Sequence, residues 1–226
     1  MYMDLKEEWL ILENYHFAAP GAIYILVSAD RIKIALPRLF TLDATIGVAC
    51  VSLFAAFDNP VRRTMYGLPG EFRTPKWGIE YRVLSNAWMF SPLAANIVID
   101  VARKCVAFGK NGFRKYWQTN EQETIDIIMN CDVDRAREVL KRNEETFLKI
   151  IKSAYSAESE EIHQAVFKFF MMGMENFINP MTIAENWRLK GEVKWVAHSS
   201  GSSINLGQSG NALSTMVKEI EAKCER

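Results

Sequence analysis

The chain has 226 residues, 49% of them hydrophobic and 24% charged, with equal numbers of cationic and anionic side chains. That composition belongs to a folded chain with a sizeable core, and it excludes disordered, fibrous and strongly basic or acidic classes. The longest uncharged run, 44–57, is shorter than the about 20 apolar residues a membrane-spanning helix needs.

The charge is unevenly spread. Residues 1–29 hold one basic and four acidic side chains, residues 30–115 thirteen and six, and residues 116–226 thirteen and seventeen. The first residues, M-Y-M-D-L-K-E-E, are acidic where a targeting peptide is basic, so none is expected. Cys50, Cys105, Cys131 and Cys224 are scattered, as are His16, His163 and His198. That is the spacing of neither a zinc site nor a disulfide framework, so no metal, no cofactor and a cytoplasmic location are expected.

In chain order, residues 3–16 read as an amphipathic helix with Leu5, Trp9 and Leu10 on its apolar side, an arm (1–17) ended by Ala18-Ala19-Pro20-Gly21. Residues 22–36 read as a helix opened by Pro20, since no neighbouring segment offers a third strand. A small β-hairpin is the alternative, because β-branched residues alternate there. A buried helix is expected over 43–57, capped by Asp43 and ended by Asn59-Pro60. The following span, 59–82, is too rich in proline and glycine for regular helix and reads as a long structured loop.

Ser91-Pro92 opens the next helix in cap-then-proline order, with Leu93, Ile97, Val101, Cys105 and Phe108 on one face. Gly109 to Gly112 is the expected boundary between a basic amino-terminal lobe (18–109) and a second helical lobe (110–191). There the periodicity predicts a helix over 120–130 capped by Thr119, another over 132–155 interrupted only by Asn143, and a third over 159–179. Residues 192–226 read as a Gly/Ser hinge and a terminal amphipathic helix. The fold class is mainly α, two-lobed, with a helical arm at each end.

Motifs for chemistry are sparse. Val193 to Gly210 has the order strand, Gly/Ser loop, helix but lacks G-K-[ST] and dinucleotide-fingerprint spacing; no G-x-S-x-G occurs, and the paired glutamates are adjacent and so diverge on a helix. Leu53 to Asp58, L-F-A-A-F-D, is similar to the F-A-A-F-D signature of flexuous filamentous plant-virus coat proteins. That family's motif lies late in the chain and is followed by a pattern missing here, so no family is assigned on it.

Taken together, these features read as a non-enzymatic helical subunit that binds other protein, either its own copies or partners in a complex. Its interface candidates are Trp9, Leu10, Phe167, Phe170, Met171, Gly173, Met174 and Met216, because residues 167–174 are apolar nearly all round the helix. Gly173, amid bulky neighbours, implies a second backbone passing close by. The alternative is a coat-type protein on single-stranded RNA or DNA, using cations interleaved with aromatics over 62–117. Its candidates are Arg62, Arg63, Arg73, Lys76, Trp77, Arg82, Arg103, Lys104, Lys110, Arg114 and Lys115. An enzyme of unspecified type is the third reading.

Overall fold

The structure, a computed structural model, describes residues 10–12, 23–26, 37–74, 78–108 and 116–177. It is mainly α, with a small antiparallel sheet. Strands β1 (Leu10–Leu12) and β2 (Ile23–Leu26) pair with each other, and β3 (Phe72–Arg73) and β4 (Gly78–Tyr81) complete the order β1-β2-β4-β3. The register sets Ile11 opposite Ile25 and Ile25 opposite Ile79. Two expectations are corrected here. Residues 10–12 form a strand within the segment read as a helix, and residues 23–26 are a strand, as the β-hairpin alternative had it, and not the helix preferred there. The third strand that the hairpin needed comes from Gly78–Tyr81, far along the chain, and a short apolar run fits a strand as well as a helix until its partner is known.

Helix α1 runs from Pro37–Leu42 through a π-helical turn, Asp43–Gly47, into Val48–Leu53. It therefore starts before Asp43, which is no cap but a buried member of the wide turn. Gly47 lets the turn lie close to the sheet: a Cβ there would come within 3.1 Å of the Tyr81 hydroxyl, tight enough to displace it slightly. Helix α2 (Pro92–Phe108) opens as the cap-then-proline order predicts, with Ser91 Oγ accepting from the Ala94 amide at 3.1 Å. Asn120, not Thr119, caps α3 (Glu121–Asn130); its Oδ1 accepts from Glu123 N at 2.7 Å while the Thr119 hydroxyl holds the Glu123 carboxylate.

The long helix expected over 132–155 divides at Asn143 into α4 (Val133–Arg142) and α5 (Glu144–Ala154). The buried Asn143 side chain accepts from Gln118 N at 2.6 Å and donates to Gln118 O and Val139 O, tying the incoming chain to the break. Helix α6 (Glu160–Met172) ends at Gly173, whose φ of 89° lies in the left-handed region. Gly173 is thus a helix terminator and not the interior close-approach glycine expected, because a positive φ is the cheaper use of a missing side chain.

Helix α1 packs against α4 and α6, and α2 packs against α5. One hydrophobic cluster therefore runs from Leu39 to Met174, across the expected lobe boundary. Its aromatic centre is Phe147, edge-on to Trp117, Phe167 and Phe170. Phe167, Phe170 and Met174 are buried in it and Met171 packs against it, so the all-round apolar helix is sandwiched within the chain itself. Trp9 and Met216 lie outside the described residues, as do the hinge and terminal helix.

Candidate active site

The span read as one loop contains a short helical turn and two strands, and it pairs its described arginines and carboxylates with one another. Phe54 to Phe57 turn the chain out of α1, and the Asp58 amide donates to Phe54 O at 2.9 Å, which fixes Asp58 at the end of that turn. Asn59 caps a 3-10 turn, Pro60–Thr64, with Pro60 at its first position. Arg62 and Arg63 then both return to Asp58. Arg62 grips it with two edges, Nε to Oδ1 at 2.8 Å and Nη2 to Oδ2 at 3.0 Å, and Arg63 Nη2 reaches Oδ2 at 3.0 Å.

Both arginines also donate to the Val83 carbonyl, at 3.1 and 2.6 Å, and Arg63 Nη1 donates to Gly67 O. Gly67 has φ 83°, and a Cβ on it would collide with both guanidiniums. The Glu71 carboxylate accepts from the Gly67 and Leu68 amides and pairs with Arg82 at 2.9 Å. Buried Glu80, on β4, lies between Arg73 at 2.6 Å and Arg82 at 3.4 Å. The Tyr66 ring takes the Arg82 guanidinium over its face, 4.5 Å from the centroid.

On the other face of β4, Tyr81 donates to Asp43 Oδ1 at 2.6 Å, and both are buried. Burial pushes the Asp43 carboxyl up from 3.8 to about 7, against the Tyr81 hydroxyl, the Gly70 amide and the Arg63 charge, which pull it down. Burial also lowers the pKa of Arg63, and the neighbouring Arg62 charge adds to that. π-Helical turns inside α-helices recur at functional sites, and this one delivers a near-neutral carboxyl beside a guanidinium cluster.

Four of the expected nucleic-acid contacts, Arg62, Arg63, Arg73 and Arg82, are thus brought together, but toward carboxylates rather than toward a groove. Arg103 instead faces Asp100 at 3.9 Å on α2, with Lys104 close enough to influence the same carboxyl. Lys76, Trp77, Lys110, Arg114 and Lys115 lie outside the described residues. Sequence reasoning passed over Asp43, Asp58, Glu71, Glu80 and Tyr81. The signal for three of them was present in the acids interleaved among the arginines of 58–82: once the chain turns, Asp58 and Glu80 each meet two cations and Glu71 meets one. Among the described residues, no group of three or more His, Cys, Asp and Glu is arranged to hold a metal, and no helix is long and apolar enough to cross a membrane.

Fold and cluster together define a mainly α chain that holds a partly buried arginine–carboxylate network, centred on Asp58, Arg63 and Glu80, beside a small sheet. The chain belongs to the phage phiEco32-like COOH.NH2 ligase-type 2 family, whose model matches residues 18–189. Neither the curated proteins nor the solved structures offer a match. The family overturns the expectation of a non-enzymatic assembly subunit, and with it the alternative of a nucleic-acid coat protein. The apolar helix that motivated the first lies in the core, and of the cations that motivated the second, Arg62, Arg63, Arg73 and Arg82 stand in ion pairs.

Proposed function

We propose that this chain is an enzyme that joins a carboxyl group to an amine, working at the cluster around Asp43 and Asp58. The observation that carries the reading is the family match, whose span of 18–189 includes every member of that cluster. Joining a carboxylate to an ammonium group removes one carboxyl oxygen as water together with two of the three ammonium protons, the third staying on the amide nitrogen. Oxide is a poor leaving group, so the carboxyl must first be activated by a phosphoryl or nucleotidyl donor. The amine must also lose a proton before it attacks.

The residues fit those demands. Asp43, titrating at about 7, is matched to accept a proton at neutral pH, and the Tyr81 hydroxyl holds one of its oxygens in place. The arginines supply fixed positive charge for oxygens that gain negative charge during transfer. Free thiols at Cys50, Cys105 and Cys131 accord with work in the cytoplasm.

The test is to incubate the protein with a nucleoside triphosphate and pooled carboxylic acids and amines, and to look for condensed products by mass spectrometry alongside phosphate release. A product that needs both partners is expected, with its rate lowered about a hundredfold in Asp43→Asn. Absence of any condensed product from all pools would remove the reading.

A further inference from the structure

Among the described ion pairs, four guanidiniums (Arg62, Arg63, Arg73, Arg82) face three carboxylates (Asp58, Glu71, Glu80), with the buried Asp43 carboxyl near enough to feel Arg63 but in no ion pair. Glu80 and Glu71 serve Arg73 and Arg82, which leaves Asp58 alone opposite two consecutive arginines. Arg63 has 4% of its side-chain surface exposed and Arg62 20%, so this surplus is largely withdrawn from water. A guanidinium does not discharge at neutral pH, and buried charge is tolerated when it is paired.

The hydrogen bonds show where the pairing is incomplete. Asp58 fills the Nε and Nη2 edge of Arg62, and Arg63 spends Nη2 on Asp58 and Nη1 on the Gly67 and Val83 carbonyls. Arg62 Nη1 and Arg63 Nε remain, both buried and without a close hydrogen-bond acceptor among the described residues, the nearest further partner of Arg63 being the Cys131 thiol. We infer, resting on the ligase reading above, that Arg62 and Arg63 receive a substrate oxyanion at these two N–H groups: the carboxylate to be joined or the phosphoryl group that activates it. The shared chemistry is a planar or tetrahedral group with several charged oxygens, for which guanidinium is the fitted donor. Asp58 acts as the positioning residue, holding both forks with one carboxylate.

The test titrates the full-length protein with sodium acetate and with inorganic phosphate, each against sodium chloride at matched ionic strength. Melting temperature and the Nε–Hε NMR signals of 15N-arginine-labelled protein are the readouts. At least one oxyanion is expected to shift the Arg62 and Arg63 signals saturably and to raise the melting temperature beyond chloride. Arg62→Gln should weaken that half-saturation about tenfold or more, and Arg62→Lys should recover part of it. A response to acetate alone assigns the contacts to the carboxyl substrate, and a response to phosphate alone assigns them to the activating group. No saturable response to either, or an unchanged half-saturation in Arg62→Gln, overturns the inference; if that variant does not fold, the wild-type titration decides. Amide formation with an unaltered KM in Arg62→Gln would remove the oxyanion contacts while leaving the reaction standing. Saturable binding without any amide product would do the reverse.

Discussion

Asp43 carries the clearest pH signature in the molecule. Its carboxyl is held at about 7 by burial, whereas in the unfolded chain it titrates near 3.8. The folded state therefore binds a proton that the unfolded state has already released between those two values, and stability falls as pH rises through that window. The contribution is fully present below about pH 4 and lost above about 7. Asp43→Asn removes this dependence. Compared with the wild type in urea unfolding at a series of pH values, it should gain relative stability steadily from pH 4 to 7, by a few kcal/mol in order of magnitude, and level off beyond. A constant difference across that range would show that the carboxyl is already ionised when the protein folds. Sequence alone presents Asp43 as a helix cap, since an aspartate before an apolar run is what a cap looks like. Its burial depends on a wide π turn and on Tyr81, and neither has a local signature.

Among the elements, those with strong local signals read correctly and those made by distant partners did not. The opening of α2 and the apolar face of α6 follow from caps and periodicity. Strand β2 is only half announced: β-branched alternation offers a strand, but Ile23 finds Tyr81 across a long stretch of chain and no local pattern names that partner. The break between α4 and α5 lies between these cases. An asparagine interrupts the apolar rhythm at position 143, but its bonds to both backbone groups of Gln118 appear only in the fold. Asn143→Ala would leave those two groups without their partner in a buried setting. It should cost about 2–4 kcal/mol in thermal or urea unfolding, with the helical content of α4 and α5 retained. A cost below about 0.5 kcal/mol would mean that the 116–120 segment is anchored by other contacts.

For the molecule as a whole, the shared core has a direct thermodynamic consequence. Helices from both sides of residues 109–112 contribute to one cluster, and Ser52 on α1 donates to the Phe170 carbonyl at the end of α6 at 2.7 Å. Arg137 of α4 also reaches that helix end, 3.4 Å from Met172 O. Calorimetry should therefore show one transition for this core, with matching calorimetric and van't Hoff enthalpies, and not one for each side of 109–112. Two resolved transitions would divide the chain there after all. The function was the least legible property at this scale. The family's match spans most of the chain, while its charged cluster is dispersed over residues 43–83 in no motif a short pattern can catch.

The bond from Ser52 to Phe170 also sets a timetable. The two residues are 118 positions apart, and a ribosome adds about 5–20 residues per second. Helix α1 therefore leaves the ribosome on the order of ten seconds before the helix that covers it, with the face of Val48–Leu53 on which α6 packs still open. A nascent-chain pause placed before residue 170 should leave that apolar face open to a holding chaperone, and release past it should end the contact.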